Sequence, residues 1–521
     1  MNSIDQKTPP QFSLIAVREN FDRWFLVFIV AVAMSYRLYD LDYLSLWADE
    51  LWSLLDASRT SWHEMIASII NRDSHPPGYQ TILYWWIHLA GKSDFMVRLP
   101  SAIAGIAAVL SVYKTGEKHF SRECGLFAAL LLGGSYSAIY YSQEARAYSL
   151  LVFFYSLHIS ALLSVFFDKS GKYADLIIFC ISAIAMLYLH YVGSVIFAAE
   201  ALILLPMLCK DFHKMAARAT LAFAVPLICY LPWLPVMYRH ATTIDHYWSP
   251  KPTWNDFLVV WKFIVGNIDG VFYSQIIIVF LWLIFITVSL FFSRHKKNMA
   301  VIEMQKILAC AVMLLLPMLI LFAKSHFSQS IQTPRHFIYA IPLFCLLLGA
   351  AIAKFLSIFS ANKLPHFLIS ALLATAIFGM QVQDNIANKL YKHSRKRDFR
   401  EAVLLVTKDR AFMSSDRVIV VSHDFFNHYL AYFHVAPAAL AYFSPVDRPA
   451  PAQYVVIREM IDALPDKDFY YMGVDDDGEI VKLFSKDYRL VCSVALTGIT
   501  VNKFSKSPSS ANDSCVQGVF R

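Results

Sequence analysis

A chain of 521 residues that is 57% hydrophobic and only 16% charged is too apolar for a soluble globular protein, where about half the residues are apolar and about a quarter charged. Its mean hydropathy of +0.47 agrees. The formal net charge of +7 is modest, and no basic stripe with interleaved aromatics occurs, which excludes a nucleic-acid-binding surface.

Residues 1–23 are polar and mixed in charge, unlike a cleavable signal peptide, so they read as a cytoplasmic tail before an uncleaved anchor at 24–39. Further apolar runs lie at about 98–115, 124–141, 147–167, 173–190, 191–209, 219–237, 274–292, 307–323, 336–358 and 364–380. Each is long enough to cross a hydrocarbon core of ~30 Å. Between the first two runs, Leu51, Leu54, Leu55, Trp62, Met65, Ile66, Ile69 and Ile70 recur at helical spacing, which predicts an amphipathic helix on the membrane surface. The apolar stretch at 76–91 has two readings, a further span or an interfacial segment.

Charge decides between them. With 76–91 in the interface and the N-terminus inside, the alternate loops carrying Lys114, Lys118 and Arg122, then Lys169 and Lys172, then Lys210, Lys214 and Arg218, then Arg294, Lys296, Lys297 and Lys306, then Lys354 and Lys363 all face the cytoplasm. A full crossing by 76–91 would reverse every later loop. The expected architecture is therefore a membrane all-α bundle of about eleven transmembrane helices. Asp49, Glu50, His75, Arg98, Glu144, Arg146, His190, Arg239 and Arg335 then share the non-cytoplasmic face, and some of them are expected to be plain surface residues.

The character changes after about Met380. A basic stretch leads into Asp398-Phe399-Arg400-Glu401-Ala402-Val403, a helix start. Arg417–Ser422 and Tyr454–Arg458 read as buried strands, and Asp424–His434 as a helix. From about 468 the pattern reads as strands: FYYMGV, a turn at Asp475-Asp476-Asp477-Gly478, EIVKLF, and YRLVCSVALTGITV. The three aspartates are explained by a turn with less than a calcium site would need. Residues 381–521 are thus expected to form a small soluble α/β domain on the outer face, ending in a polar tail. Eight cysteines show no Cys-x-x-Cys or Cys/His ligand spacing, which argues against structural zinc. Cys492 and Cys515 would pair if this region is outside the cytoplasm, or stay as two free thiols.

Taken in order, SLWADE, DSHPPGY, FMVRLPSAIAGIAAV, YYSQEARAYSLL, YLHYVG, YLPWLPV and TPRHF resemble a polytopic glycosyltransferase of the GT-C superfamily. The branch is that of the protein O-mannosyltransferases and the aminoarabinose transferase that modifies lipid A. The resemblance covers about residues 20–360, and RDFREAV at 397–403 resembles the start of the outer domain in bacterial members. It implies a GT-C type catalytic domain at 24–380, with a first outer loop at 40–97 bearing interfacial helices. It implies transfer of a sugar from a polyprenyl-phosphate donor to an acceptor on the outer face. It places the catalytic acidic residue of the first outer loop, the general base, at Asp49, with Glu50 as the second letter of the Asp-Glu pair of the mannosyltransferase branch and Glu144 as the acidic residue after the third span. His75 stands where the aminoarabinose branch has lysine, which argues against the same donor.

The chemistry agrees independently. A polyprenyl-phosphate sugar carries a good leaving group and lacks only a deprotonated acceptor hydroxyl, so one carboxylate suffices as base. A single displacement inverts the anomeric carbon. The leaving phosphate needs guanidinium donors, for which Arg98, Arg146, Arg239 and Arg335 are candidates, with His75, Tyr148, His190 and Tyr191 as further substrate contacts. Each has a plainer role too. Asp49 would cap the helix that follows, Glu144 and Arg146 would start a span, His75 would shape the Pro-Pro turn, His190 would pack at a helix junction, and Arg335 would anchor to headgroups. Outer carboxylates such as Asp49 and Glu144 have the oxygen chemistry to hold Mg²⁺ or Mn²⁺, but no metal is expected to be obligatory. Expected partners are the lipid-linked donor, membrane lipid, and a glycolipid, polysaccharide or protein acceptor. Tyr247, Trp248 and Trp254, between 239 and 273, are candidates for stacking on sugar rings. The expected setting is a bacterial inner membrane with the site facing the periplasm. The competing reading is a transporter or flippase of lipid-linked sugars, which would place ionisable groups at mid-membrane and show repeated halves.

Overall fold

The computed structural model describes residues 14–168, 172–210, 212–243, 251–266, 299–328, 330–359, 363–388, 390, 397–409, 418–421, 425–433, 439–442, 468–474 and 478–505. The chain divides into two compact units. The first comprises Met1–Tyr39, Asp56–Gly91 and Met96–Leu390, and the second Asp40–Leu55, Lys92–Phe95 and Tyr391–Arg521.

The first unit is helical. Its elements begin with α1 (Leu14–Leu38); α2 (Ala48–Ala57) starts in the second unit and ends in the first. Then come α3 (Trp62–Arg72), α4 (Gly78–Ala90), α5 (Asp94–His119), α6 (Arg122–Gly134), α7 (Tyr136–Ser142), α8 (Tyr148–Leu162, prolonged by a π-turn to Phe167), α9 (Tyr173–Leu189) and α10 (Val192–Lys210). They are followed by α11 (Phe212–Tyr230), α12 (Leu234–Thr243), α13 (Trp254–Val265), α14 (Met299–Phe327), α15 (Ala340–Ser357) and α16 (Lys363–Ala387). Every expected span but one coincides with a helix; the span at 274–292 lies outside the described residues, as do Tyr247 and Trp248. Among the described residues six helices are long and apolar enough to cross a membrane, seven if the bent pair α6–α7 is one span. α4 has 13 residues, about 20 Å at 1.5 Å per residue, and is too short to cross. α3 is amphipathic as expected: Ser61 caps it by accepting from the Glu64 amide, Met65 and Ile69 are buried, and Trp62, His63 and Glu64 are exposed.

The decisive feature of this unit is the break between α6 and α7. The two helices meet at Ser135 with a bend of 61°. A break inside an apolar bundle frees the last carbonyls of α6, and no water is there to take them. Side chains from two other helices do so. Arg37 of α1, fully buried, donates to the carbonyls of Gly133 at 2.9 Å and Leu132 at 3.2 Å. Gln381 of α16 donates to Leu131 O at 2.8 Å, and Asn385 to Gly134 O at 3.2 Å. Gln143, just past α7, returns the favour by donating to the carbonyls of Tyr36 and Tyr39 at the end of α1. Small residues bring α6 and α15 together: a Cβ at Gly349 would lie 2.7 Å from the Cys124 carbonyl oxygen.

The second unit holds a five-stranded sheet of order β2-β1-β3-β5-β4, with β1 (Val418–Val421), β2 (Ala439–Tyr442), β3 (Phe469–Val474), β4 (Arg489–Leu496) and β5 (Ile499–Ser505). β1 runs parallel to β2 and β3, while β5 runs antiparallel to β3 and β4. Its helices are α17 (Phe399–Lys408), α18 (Phe425–Tyr432) and α19 (Gly478–Asp487). α17 buries Phe399, Ala402, Val403 and Val406, spaced along one helical face. One expectation is corrected: EIVKLF is helical, within α19. Phe484 is buried while Lys482, Ser485 and Lys486 are exposed, a spacing that suits one face of a helix and not a strand alternation. The strand expected at 454–458 and the turn at 475–477 lie outside the described residues. Lys503 reaches Asp409 at 2.6 Å, and the Tyr470 hydroxyl donates to the same carboxylate at 2.8 Å, a buried polar knot. Cys492 is disulfide-bonded; its partner lies outside the described residues.

The break accounts for one prediction. Arg37→Met should lower stability by about 1–3 kcal/mol for each carbonyl left without a donor, read as a lower melting temperature in detergent.

Candidate active site

The site begins where α3 stops. Asp73 ends that helix, and Pro76-Pro77 force the chain to turn before α4. Gly78 then lies directly on α9: a Cβ there would come within 2.5 Å of the Tyr188 carbonyl oxygen. That close approach carries His75 to His190, which ends α9, with the rings 5.5 Å apart.

Asp73 orients His75. Its Oδ1 accepts from the Ser74 amide at 2.6 Å and from His75 Nδ1 at 2.8 Å, and its Oδ2 accepts from Gln80 Nε2 at 2.9 Å. With the Nδ1 proton directed at a carboxylate, His75 Nε2 presents its lone pair. Arg146 Nη2 donates to it at 3.2 Å. Burial opposes the charge of Asp73, but His75 and then Arg146, with the Ser74 amide, outweigh it and hold the carboxyl below its ordinary value of 3.8.

Two further imidazoles complete the cluster. His190 Nδ1 accepts from the Val192 amide at 3.1 Å, so its proton sits on Nε2, a buried atom with no hydrogen-bond partner among the described residues. His336 Nδ1 donates to Ile331 O at 2.6 Å, and its ring stands 5.1 Å from that of His190. Burial pushes His190 well below the ordinary imidazole value, helped by His336, His75, Arg146 and Arg335. Burial also pushes His336 down to about 3, helped first by Arg335. Both rings are therefore uncharged at neutral pH, and the fixed positive charge comes from Arg146 and Arg335. A small cleft lies here, lined by His75, Tyr79, Gln80, Arg146, Ala147, Tyr148, Leu189 and His190. Positive charge, N–H donors and tyrosine rings around one small space suit an anion with several acceptor oxygens.

The structure thus brings together His75, Arg146, Tyr148 and His190 of the residues singled out in the sequence. Glu144 is fully buried just past α7, and its charge acts on the Tyr140 and Tyr141 hydroxyls. Arg335 precedes His336 in the 3₁₀ turn before α15 and acts electrostatically on both His190 and Tyr141. Arg98 is buried within α5. Arg239 and Tyr191 belong to a different cluster. Arg239 is exposed and donates to Ile70 O and to Asn71 Oδ1, while the Tyr191 hydroxyl meets His240 Nδ1 at 2.8 Å. Trp254 is exposed. Asp49 and Glu50 lie in the first turn of α2, within the second unit. Glu50 is buried and its Oε2 accepts from the Trp47 amide at 3.2 Å, the backward half of a capping box, while Asp49 lies inside the first turn and is not the N-cap. Asp49 is half-buried. Among the described residues no group of three His, Cys, Asp or Glu is arranged to hold a metal ion.

Asp73, Gln80 and His336 were not singled out from the sequence. Asp73 and Gln80 sit in or beside the DSHPPGY motif, and a carboxylate two residues before a histidine was the available signal. His336 is the neighbour of Arg335 in TPRHF.

Residues 74–235 match the family model of dolichyl-phosphate-mannose-protein mannosyltransferases, a stretch that contains His75, Glu144, Arg146, Tyr148 and His190. The crystal structure of ArnT from Cupriavidus metallidurans bound to undecaprenyl phosphate superposes with a TM-score of 0.55 at 14% identity, covering 92% of this chain and 98% of that one. This chain has the GT-C glycosyltransferase fold. The apo structure of the same ArnT gives a TM-score of 0.57 at 13% identity, again covering 92% and 98%. An oligosaccharyltransferase from Archaeoglobus fulgidus, crystallised with zinc and sulfate, gives 0.51 at 12% identity over 92% of this chain and 73% of that one. No curated protein matches the chain by sequence. The GT-C likeness agrees with the membrane-bundle architecture and with the small sheet of the second unit.

The buried imidazoles of this cluster dictate a pH dependence. Their folded pKa values lie below the ordinary 6.5, so the unfolded chain takes up protons first as pH falls. Stability should be full above about 6.5 and decline below it, the His336 contribution by at most about 1.4 kcal/mol per pH unit down to about 3. Thermal melts in detergent across that window check this, and His336→Phe should flatten the profile.

Proposed function

We propose that the chain is an integral-membrane glycosyltransferase that moves a sugar from a polyprenyl-phosphate donor to an acceptor hydroxyl on the non-cytoplasmic face, inverting the anomeric carbon. The observation that carries this reading is the Asp73–His75–Arg146 relay in a cleft that His190 also lines, its buried Nε2 without a hydrogen-bond partner among the described residues. A phosphate leaving group needs donors whose positions are fixed before it arrives, because donors already in place cost no reorganisation as charge develops. Arg146 is held by His75, and His75 by Asp73. Arg335 adds positive charge that acts on His190. The likeness to ArnT, whose crystal structure holds undecaprenyl phosphate, supports a polyprenyl phosphate as the lipid.

In the proposed reaction the acceptor oxygen attacks the anomeric carbon and the bond from that carbon to the phosphate oxygen breaks. The acceptor proton passes to Asp49, the general base, which matches the family's catalytic acidic residue in the first outer loop. The electron pair leaves on the phosphate, whose charge Arg146 meets. Glu50 holds the start of α2 and Glu144 is the second acidic group of the site. No step in this scheme requires a metal, so chelation should leave the rate unchanged. The bonded state of Cys492 supports an oxidising compartment for the second unit, as the bacterial periplasm is.

One observation favours the transporter reading. His158 Nε2 and Glu200 Oε2 pair at 2.9 Å between α8 and α10, both fully buried in the bundle, and such intramembrane groups often mark ion pathways.

The test is transfer in lipid vesicles from a panel of labelled polyprenyl-phosphate sugars to envelope glycolipids, polysaccharides and proteins. Asp49→Asn should cut turnover by roughly 10²–10⁴-fold while the donor still binds. Arg146→Ala should weaken donor binding by roughly tenfold or more. Donor flipping across vesicles without transfer would replace this reading with the transporter.

A further inference from the structure

The RDFREAV segment has no role in the reaction above, yet its side chains hold the stretch of chain that leads to Asp49. Residues 39–47 precede α2 without regular helix or strand, so their backbone groups need partners from elsewhere. Within the second unit, Arg400 Nη1 donates to the Asp42 carbonyl at 2.7 Å and Arg400 Nη2 to the Tyr43 carbonyl at 2.5 Å. Ser45 Oγ donates to the Arg397 carbonyl at 2.8 Å. The Leu46 amide donates to the Tyr429 hydroxyl at 2.7 Å. Four of five consecutive residues are thus tied to the C-terminal part of the chain, and α2 begins two residues later with Asp49 in its first turn.

The clamp is itself braced. Asp94 accepts from Arg400 Nη1 at 3.0 Å and from the Tyr429 hydroxyl at 3.1 Å, so one carboxylate fixes both donors. Asp94 and Tyr429 are buried, as are Ser45 and Leu46. Phe399 is buried against Phe426, ring centres 5.0 Å apart, and the Asp398 amide donates to Thr497 O at 3.1 Å in the turn of the β4–β5 hairpin. The geometry is over-determined for a mere surface loop. A fork that grips two successive carbonyls fixes where the next residues go, and a guanidinium can do this where a lysine cannot.

We propose that Arg400 and Tyr429 are positioning residues that set the first turn of α2, and with it the Asp49 carboxylate; this rests on the reading of Asp49 as the base. The C-terminal unit then works as part of the catalytic machinery and is not an appendage. A displacement of about 1 Å at a catalytic group costs on the order of 10²-fold in rate, so the clamp acts on turnover while leaving the donor's phosphate contacts alone.

The test compares the full-length protein with Tyr429→Phe, Arg400→Lys and Asp49→Asn in the vesicle assay, together with amide hydrogen exchange. Tyr429→Phe keeps the buried ring and removes only the hydroxyl; Arg400→Lys keeps the charge facing Asp94 and loses the fork. Both should lower kcat by roughly tenfold to a hundredfold with donor KM within about twofold. Exchange should rise in the peptide covering 42–50 while the peptides of β3 and β5 stay as in wild type. Wild-type kcat in both variants, with Asp49→Asn inactive, overturns the clamp and leaves the base in place. Raised exchange throughout the sheet, with kcat lost only as folded protein is lost, assigns these residues a purely structural role and also overturns it. Wild-type turnover in Asp49→Asn overturns the reading of the base on which the clamp rests.

Discussion

A backbone carbonyl in an apolar interior must find a donor, and this constraint shapes the membrane unit. The chain breaks a helix at Ser135 inside the bundle, which leaves the carbonyls of 131–134 without their helical partners. Arg37, Gln381 and Asn385 supply the donors, one from the first helix of the unit and two from its last. The first and last helices are thereby tied to the same break. What the break achieves is a change of direction: α7 runs off at 61° and delivers Gln143, Glu144 and Arg146 together. Gln143 closes the end of α1, Glu144 is buried, and Arg146 turns to His75. Polar residues that look like isolated oddities within apolar runs are the means by which the site is presented.

The site follows a second rule, that a buried polar atom is either satisfied or available for something. Asp73, His75 and Arg146 form a chain in which each member fixes the next, from a carboxylate at a helix end to a guanidinium at the cavity. His190 and His336 each spend one ring nitrogen on the backbone, which fixes the tautomer and leaves the other nitrogen for use. Kept uncharged by burial, they shape the cavity and donate or accept without adding to the charge of Arg146 and Arg335. The result is a space with fixed donors, a fixed tautomer set and a net positive character, which is the pre-organisation a departing phosphate demands.

The second unit shows the same economy. Arg400, Tyr429 and Asp94 share hydrogen bonds so that an irregular segment is held as firmly as a strand. Among its described residues, the buried polar knot of Lys503 with Asp409 and Tyr470 is internal. The part of this unit that the proposed clamp uses is the set of side chains that grips residues 42–46. The grouping of Asp40–Leu55 and Lys92–Phe95 with the C-terminal region, far away in sequence, is the physical basis for that role.

The sequence by itself carried the membrane class and the apolar runs that coincide with helices among the described residues, because apolar run length is a local property that survives any packing. The ordered motifs also carried the fold, since SLWADE through TPRHF resembled GT-C proteins, and the superpositions show that fold. EIVKLF was misread as a strand because six residues are too few to separate a half-buried helix from a buried strand; the exposure of Lys482, Ser485 and Lys486 beside buried Phe484 needed the folded neighbours. Only the tertiary structure decided which polar residues share a cavity. His75 and Arg146 are joined by a hydrogen bond across 71 residues, Arg37 and Gly133 across 96, Arg400 and Asp42 across 358. Arg239 carries the same guanidinium as Arg146 but binds the end of α3. Side-chain chemistry is written in the sequence, but a hydrogen bond depends on distance and direction, and those exist only once the helices have packed.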